Sequence, residues 1–437
     1  MQAQNSLNNQ VIIMTQQIPA KEQIHSNVIR PGTAAYRHIS IALFLAGFAT
    51  FSLLYCVQPL LQAFTVEFGV NAASSSLALS LSTICLAVAI FCAGALSEGW
   101  DKRRLMFTSM TLAALFNLFA ALTPDWHSLL IMRALAGLLL GGVPAVAMAY
   151  LSEKIHPDGL GWAMGLYVGG TAFGGMAGRI LMSVMTDHFS WRTAMTAMSV
   201  LDLMAAIGFF ILLPKSTQLV HKTKFHLSHH IGIWRAHLTH SALPLLFATG
   251  FLVVGVFVAL YNYIGFRLTA APYNMSQTQI GLIFLSYLFG IVASPIAGKL
   301  SDTLGRLPVL ASGITLMVIG MLMTLASPLI MIMTGIGLVT LGFFIAHAIA
   351  STWVGRLATH AKGHASSLYL LSYYLGSSIV GAVGGWFWEH DGWFAVVVFT
   401  LILLAVTATL AWRLYKQFTV QASQSLTNEV SNEHQPS

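Results

Sequence analysis

Charge is what this 437-residue chain has least of. Only 8% of its residues are Asp, Glu, Lys or Arg, against 56% hydrophobic, whereas ordinary globular domains carry roughly 25% charged residues. So little charge cannot clothe a water-facing surface, which excludes an ordinary soluble fold. Cysteine is nearly absent. Cys56, Cys85 and Cys92 lie in apolar runs with no Cys-x-x-Cys pair and no metal-ligand neighbour, so they read as small core residues. There is no metal-ligand cluster, no Gly-x-Ser-x-Gly elbow and no phosphate loop. The expectation is therefore no metal, no cofactor and no enzyme. The first 36 residues are polar and Gln/Asn-rich without a short apolar core. They read as a disordered tail rather than a secretory signal.

What the chain does have is long apolar runs. A helix crossing the hydrocarbon core takes about 20 residues. Candidate spans fall near 39–63, 76–97, 105–123, 129–151, 160–185 and 192–213, then near 243–266, 279–298, 308–326, 329–352, 364–386 and 392–413. The fold class expected is an all-α membrane protein of twelve transmembrane helices in two six-helix pseudo-symmetric bundles. The boundaries are a disordered tail 1–38, a first bundle 39–213, a linker 214–241, a second bundle 242–413 and a tail 414–437.

The net charge of +7 invites a nucleic-acid partner, but its placement argues for a bilayer. With both tails on one side, that side holds seventeen of the 21 Lys and Arg residues, and the other holds only Arg192 and Arg267. Arg133 and Arg179 fall inside spans. The asymmetry predicts cytoplasmic termini in a multi-pass protein of the bacterial inner membrane. The linker histidines (His221, His226, His229, His230, His237, His240) read as part of a solvated loop or a basic amphipathic segment on anionic lipid, rather than a metal site.

The halves repeat one another. Leu166-Tyr167 and Gly174 match Leu368-Tyr369 and Gly376 at a shift of 202, and Asp187-His188 matches Glu389-His390 at the same shift. Gly47-Phe48 matches Gly250-Phe251 at 203, and Gly94-Ala-Leu-Ser-Glu98 matches Gly298-Lys-Leu-Ser-Asp302 at 204. Four matches in chain order at a near-constant offset predict two six-helix units in parallel orientation, with a polar seam between them at mid-membrane.

GALSEGWDKRR (94–104) and GKLSDTLGR (298–306) each place glycine, an acid at a helix end and basic residues in the turn after it. An acid so placed can pair with the bases or face a helix N-terminus. These residues resemble motif A of the major facilitator superfamily, and the resemblance spans about 39–413. The second copy is close to the pattern; the first has Glu98 where Asp is usual and Asp101 where Gly is usual. The resemblance implies a conformational latch at Gly94, Glu98, Lys102, Arg103, Gly298, Asp302, Gly305 and Arg306, with Glu153 a candidate partner. Arg133 before Gly137 is similar to motif B, whose arginine is implicated in proton coupling. GLYVGGTAFGGMAGR (165–179) is glycine-rich like the antiporter motif, without its proline and with a glycine spacing one residue longer. LLYCVQPLL (53–61) and ASSLYLLSYYLGSS (365–378) resemble the YnfM-type inner-membrane permeases, described as arabinose-efflux or drug-efflux-like, which implies export.

Ionisable residues within a span mark a pathway or a pair. Asp202, the only acid near mid-membrane, reads as a proton carrier or as the structural partner of an arginine. Arg133 reads as a coupling or an anchoring residue. Arg179 reads as the receiver of an anionic substrate group or of a backbone carbonyl, and His347 as a titratable or a hydrogen-bonded packing residue. In the family, helices one, four, seven and ten line the cavity with help from five and eleven. Tyr55, Gln58, Tyr261, Asn262, Tyr263 and Tyr373 are then substrate-binding candidates, with membrane-surface aromatics as the alternative. The function expected is a secondary transporter: proton-driven export of small organic compounds such as drugs or sugar-like metabolites, by a monomer. Uptake by symport or uniport is one alternative, and a non-transporting membrane sensor is another.

Overall fold

The computed structural model describes residues 28–96, 101–214 and 227–433. Among them, ten helical stretches are long and apolar enough to cross a membrane. One of these, Lys362–Thr419, belongs to a longer helix broken at Asp391 and Gly392, where Gly392 takes φ +60°. That break makes two spans of one. A twelfth, Pro157–His188, is a 32-residue helix rich in glycine. Glycine lowers its apolar content without shortening it.

The spans are α1 (Ala34–Tyr55, prolonged by Leu61–Phe68), α2 (Ala72–Leu96), α3 (Lys102–Leu122), α4 (Trp126–Leu140 and Gly142–Lys154), α5 (Pro157–His188) and α6 (Trp191–Leu212). Then come α7 (Leu243–Thr269), α8 (Gln277–Leu282 and Tyr287–Leu304), α9 (Arg306–Met323), α10 (Leu329–Leu357), α11 (362–390) and α12 (393–433). Twelve crossings put both chain ends on one face, here the termini face; the opposite one is the far face.

Local sequence sets the helix starts. Asp101, Asp125 and Ser190 accept backbone N–H groups at the first turns of α3, α4 and α6, each satisfying donors a helix leaves open. Ser276 and Gln279 form a reciprocal capping box on α8, and Pro157 opens α5. At the two motif A-like loops the caps diverge. Asp101 caps α3 with its side chain at φ −66°, whereas Gly305 starts α9 at φ +86° with no side-chain cap. The departure of the first loop from the family pattern is thus a change of capping device.

Lipid tails give helices no hydrophobic reason to associate, so close backbone approach and buried polar bonds must hold them. The four-residue glycine ladder of α5 supplies the first. Gly170, Gly174 and Gly178 lie directly on the α1 backbone at Phe44, Phe48 and Ser52, where any Cβ would clash. In the second half Gly376 of α11 sits on Phe251 of α7 in the same way, as the offset predicts. The halves meet along two seams, α2 with α11 and α5 with α8.

Three segments differ from expectation. Ile29 bridges to the end of α4, its N–H donating to Lys154 O at 2.8 Å and its carbonyl accepting from His156 N at 3.0 Å, so residues near 29 are docked and α1 begins at Ala34. The linker contains a helix, Leu227–Leu238, whose Trp234 stacks on Phe91 of α2 at 4.3 Å between ring centres. The last helix runs on past 413 to Glu433.

Candidate functional site

The site begins with a proline. Pro59 has no N–H and interrupts α1 after Tyr55, leaving a short 3-10 turn, Gln58–Leu60. The break strands carbonyls, and Arg133 of α4 takes them. Its Nη1 donates to Leu53 O at 3.0 Å and to Asn117 Oδ1 at 2.9 Å, its Nη2 to Leu54 O at 2.8 Å, and its Nε to Ala78 O at 3.3 Å. These are the bonds of an anchor, and they fix how Gln58 leaves the helix.

Gln58 then reaches the seam. Arg179 Nε of α5 donates to Gln58 Oε1 at 2.6 Å, and Gln58 Nε2 donates to Asn262 Oδ1 of α7 at 2.8 Å. Arg179 Nη1 also donates to Gly175 O at 2.7 Å. A continuous polar chain therefore crosses from one half to the other, and all three side chains are buried. Aromatic faces surround the guanidinium, with Tyr55 4.1 Å away and Phe284 and Tyr287 each 5.0 Å away, in the range of favourable cation–π contacts. The sequence singled out Tyr55, Gln58, Arg179 and Asn262 separately; the structure brings them together. Arg179 holds both a carbonyl and an amide.

The other tyrosines divide. Tyr261 stacks on Phe284 at 5.0 Å, but its hydroxyl is shared with Ser286 and Thr340. Tyr263 donates to Gly381 O of α11 at 2.6 Å and serves the ceiling of the seam. Tyr373 stands 4.8 Å from the ring of His347, which is hydrogen-bonded to Tyr369 Oη at 2.9 Å. His347 and Tyr373 thus continue the aromatic wall toward the termini face.

Beyond the polar chain the far face is shut by repeat-related contacts. Asp187, at the end of α5, accepts from Ser276 Oγ at 3.0 Å and from Thr278 N at 3.2 Å, capping α8 of the other half. Glu389, at the end of α11, accepts from Ala73 N at 2.9 Å and from Asn71 Nδ2 at 3.1 Å, capping α2. Each half uses one carboxylate to close the other half's helix N-terminus, where negative charge is favoured. Gln62 to Thr269 at 2.7 Å and Thr83 to Ser378 at 2.5 Å add to the closure. Toward the termini face, the direct hydrogen bonds between halves stop among the described residues. The linker helix adds a polar tie there, His230 to His364 of α11 at 2.8 Å.

Of the two readings of Asp202, the arginine pair is absent: no arginine bonds the carboxylate among the described residues. It accepts from Ser52 Oγ at 2.9 Å, its other oxygen has no partner, and the residue is fully buried. Asn117 donates to Ser199 Oγ one turn away on α6 at 2.9 Å, so Asp202 adjoins the cluster that holds Arg133.

The charged residues at the two motif A-like loops pair inside each half. Lys102 bonds Glu153, and Asp302 meets Arg356 at 3.3 Å. Loop base with helix acid in one half becomes loop acid with helix base in the other. Arg103 donates to Phe210 O at 2.5 Å and lies over the Phe210 ring, and Arg306 stands 6.0 Å from the Trp353 ring. Glu98 lies outside the described residues, and Gly94 stands two residues before the described end of α2. Sequence reading missed Phe284 and Tyr287, whose i, i+3 spacing is that of any apolar helix face. It also missed the capping role of Asp187 and Glu389, though it found them as a repeat match.

The sequence matches the model of the Major Facilitator Superfamily over residues 43–271 and 268–433. It is 45% identical to the inner membrane transport protein YnfM of Escherichia coli (strain K12), over 89% of this chain and 93% of that protein. It is 42% identical to the MFS-type transporter YybF of Bacillus subtilis (strain 168), over 88% and 95% respectively. Two solved structures share the fold. An inward-facing, unoccupied bacterial homologue of the human lysosomal transporter Spinster gives a TM-score of 0.69 at 13% identity, covering 86% of this chain and 96% of that one. The nucleoside transporter NupG gives 0.71 at 12% identity, covering 87% and 100%.

Proposed function

Since the chain belongs to the Major Facilitator Superfamily, we propose that it is a secondary active transporter that exports a small organic solute by alternating access, driven by protons. The observation that carries this reading is the polar chain Arg179–Gln58–Asn262, which closes the seam above an aromatic wall. A solute site that also joins the two moving halves lets binding and rocking influence each other.

With cytoplasmic termini, as the charge distribution favours, the described state is closed on the periplasmic side. Opening the far face breaks the Asp187 and Glu389 caps together with the Gln58, Gln62 and Thr83 contacts. Lys102–Glu153 and Asp302–Arg356 stand at the opposite loops, where the family resemblance puts a latch. Of the coupling candidates, Asp202 has the strongest support. It is an acid buried without a cation, joined through Ser52 to α1, and a lone buried ionisable group in a membrane usually serves the pathway. Arg133 gives its donors to carbonyls and an amide, and His347 is bonded through Nδ1 to Tyr369 and packed among rings.

Everted membrane vesicles containing the protein test this. Under an imposed inside-acid gradient, a transported compound should release protons from the vesicle and restore the fluorescence of an acridine dye. Silence across a broad compound panel, with the protein verified in the membrane, overturns proton-driven export. Net accumulation by intact cells would point to uptake, and binding without flux in proteoliposomes to a sensor.

A further inference from the structure

Arg179 is a buried charge without a counter-charge. None of the ion pairs among the described residues includes it; its partners are a neutral amide, a carbonyl and ring faces. A guanidinium has five N–H donors in a planar fork. Two are used, and Nη2 has no hydrogen bond, nor is it among the atoms walled off from solvent. The repeat makes the charge singular. The position 202 residues on is Gly381, whose carbonyl lies against Asn262 and Tyr263, so the second half brings no matching cation.

The groups around it narrow the choice of solute further. A cation would meet Arg179 in a low-dielectric site with no acid to offset the repulsion. A neutral polyol would leave the guanidinium charge buried without a counter-charge, which is costly in a low-dielectric site. A dianion would find one cation only. Ring faces offer an apolar body a matching surface.

Resting on the transport reading above, we infer that the solute is an organic monoanion, a carboxylate on an aromatic body, with Arg179 receiving the carboxylate. Carboxylate and guanidinium match as forks, and the rings that now cover the guanidinium would pack the body of the solute.

Calorimetric titration of the whole protein in nanodiscs tests it, with benzoate, 4-hydroxybenzoate and 2-naphthoate set against 2-naphthamide and 2-naphthylmethylammonium at fixed ionic strength. A charge-assisted pair predicts at least one carboxylate bound about tenfold to a hundredfold more tightly than its amide. Arg179→Lys should keep part of that preference and Arg179→Gln should abolish it. The wild-type comparison stands alone if the variants fail to fold. Amide or ammonium bound as tightly as carboxylate, no carboxylate bound, or a preference that survives Arg179→Gln overturns the inference. Carboxylate binding without flux in proteoliposomes removes the transport reading and leaves the ligand class standing. Flux of a neutral or cationic solute does the reverse.

Discussion

Removing the far-face caps should tip the protein toward its other state. Asp187→Asn and Glu389→Gln each keep side-chain size and remove the charge that faces a helix N-terminus of the opposite half. A cap and its dipole interaction are worth about 0.5–2 kcal/mol. Both carboxylates are exposed, so the lower half of that range applies, about 0.5–1 kcal/mol each. Because the contacts exist only while the far face is shut, the loss falls on that state alone. One substitution should raise the ratio of far-open to far-closed protein by roughly two- to fivefold, and both together by roughly five- to thirtyfold. Spin labels at Thr123 of the first half and Ser327 of the second, in a background lacking Cys56, Cys85 and Cys92, report the separation across the far face by pulsed electron spectroscopy. Glu67→Gln is the control, because Glu67 pairs with Arg192 at 2.9 Å inside one half. An unchanged distance distribution in the double variant, or an equal shift in the control, refutes the reasoning.

Four further outcomes follow from particular contacts. Gly174→Leu should prevent α5 from seating on Phe48 and lower the melting temperature sharply, since overpacking costs about 1–3 kcal/mol or more, whereas Gly161→Ala, with nothing within 4 Å, should leave it unchanged. Arg133→Gln should strand the Leu54 carbonyl at about 1–3 kcal/mol and leave the Leu53 carbonyl with only the Cys56 thiol at 3.1 Å, and should abolish solute counterflow and gradient-driven transport together. Asp202→Asn keeps the bond from Ser52; counterflow should persist in proteoliposomes while proton-driven transport is lost, and loss of both would mark Asp202 as structural. Glu153→Gln breaks a half-exposed pair worth at most about 1 kcal/mol, so transport rate should change while thermal stability hardly does.

Much of this was legible in the sequence because membrane physics writes in long units. Twenty-residue apolar runs, alternating basic loops and a constant repeat offset survive small errors in boundary, so twelve spans and two halves could be read directly. Residues tied to a local rule were also readable: Gln58 beside Pro59, and an amide at the repeat-related Asn262. What escaped depends on distance in space. Asp187 finds its partners 89 and 91 residues away, and Glu389 finds its own 316 and 318 away. Nothing local distinguishes those acids from solvated helix ends. An arginine partner was one of the two readings open for Asp202, because buried charges usually pair. The structure spends Arg133 on carbonyls freed by Pro59 and Arg179 on Gln58, which leaves Asp202 with Ser52. Phe284 and Tyr287 were hidden for the opposite reason, being ordinary in a chain where aromatic residues are common.

Alternating access itself is most directly tested by locking the far face. Gln62 Nε2 and Thr269 Oγ1 stand 2.7 Å apart across α1 and α7, so cysteines at these two positions, in the background without native cysteines, lie within reach of a short bis-methanethiosulfonate crosslinker that spans the length of the glutamine side chain. The crosslinked protein should still bind a transported probe from the termini face, carry none of it across a proteoliposome membrane, and recover transport when reduction releases the crosslinker. Undiminished transport with the crosslink formed would contradict the account.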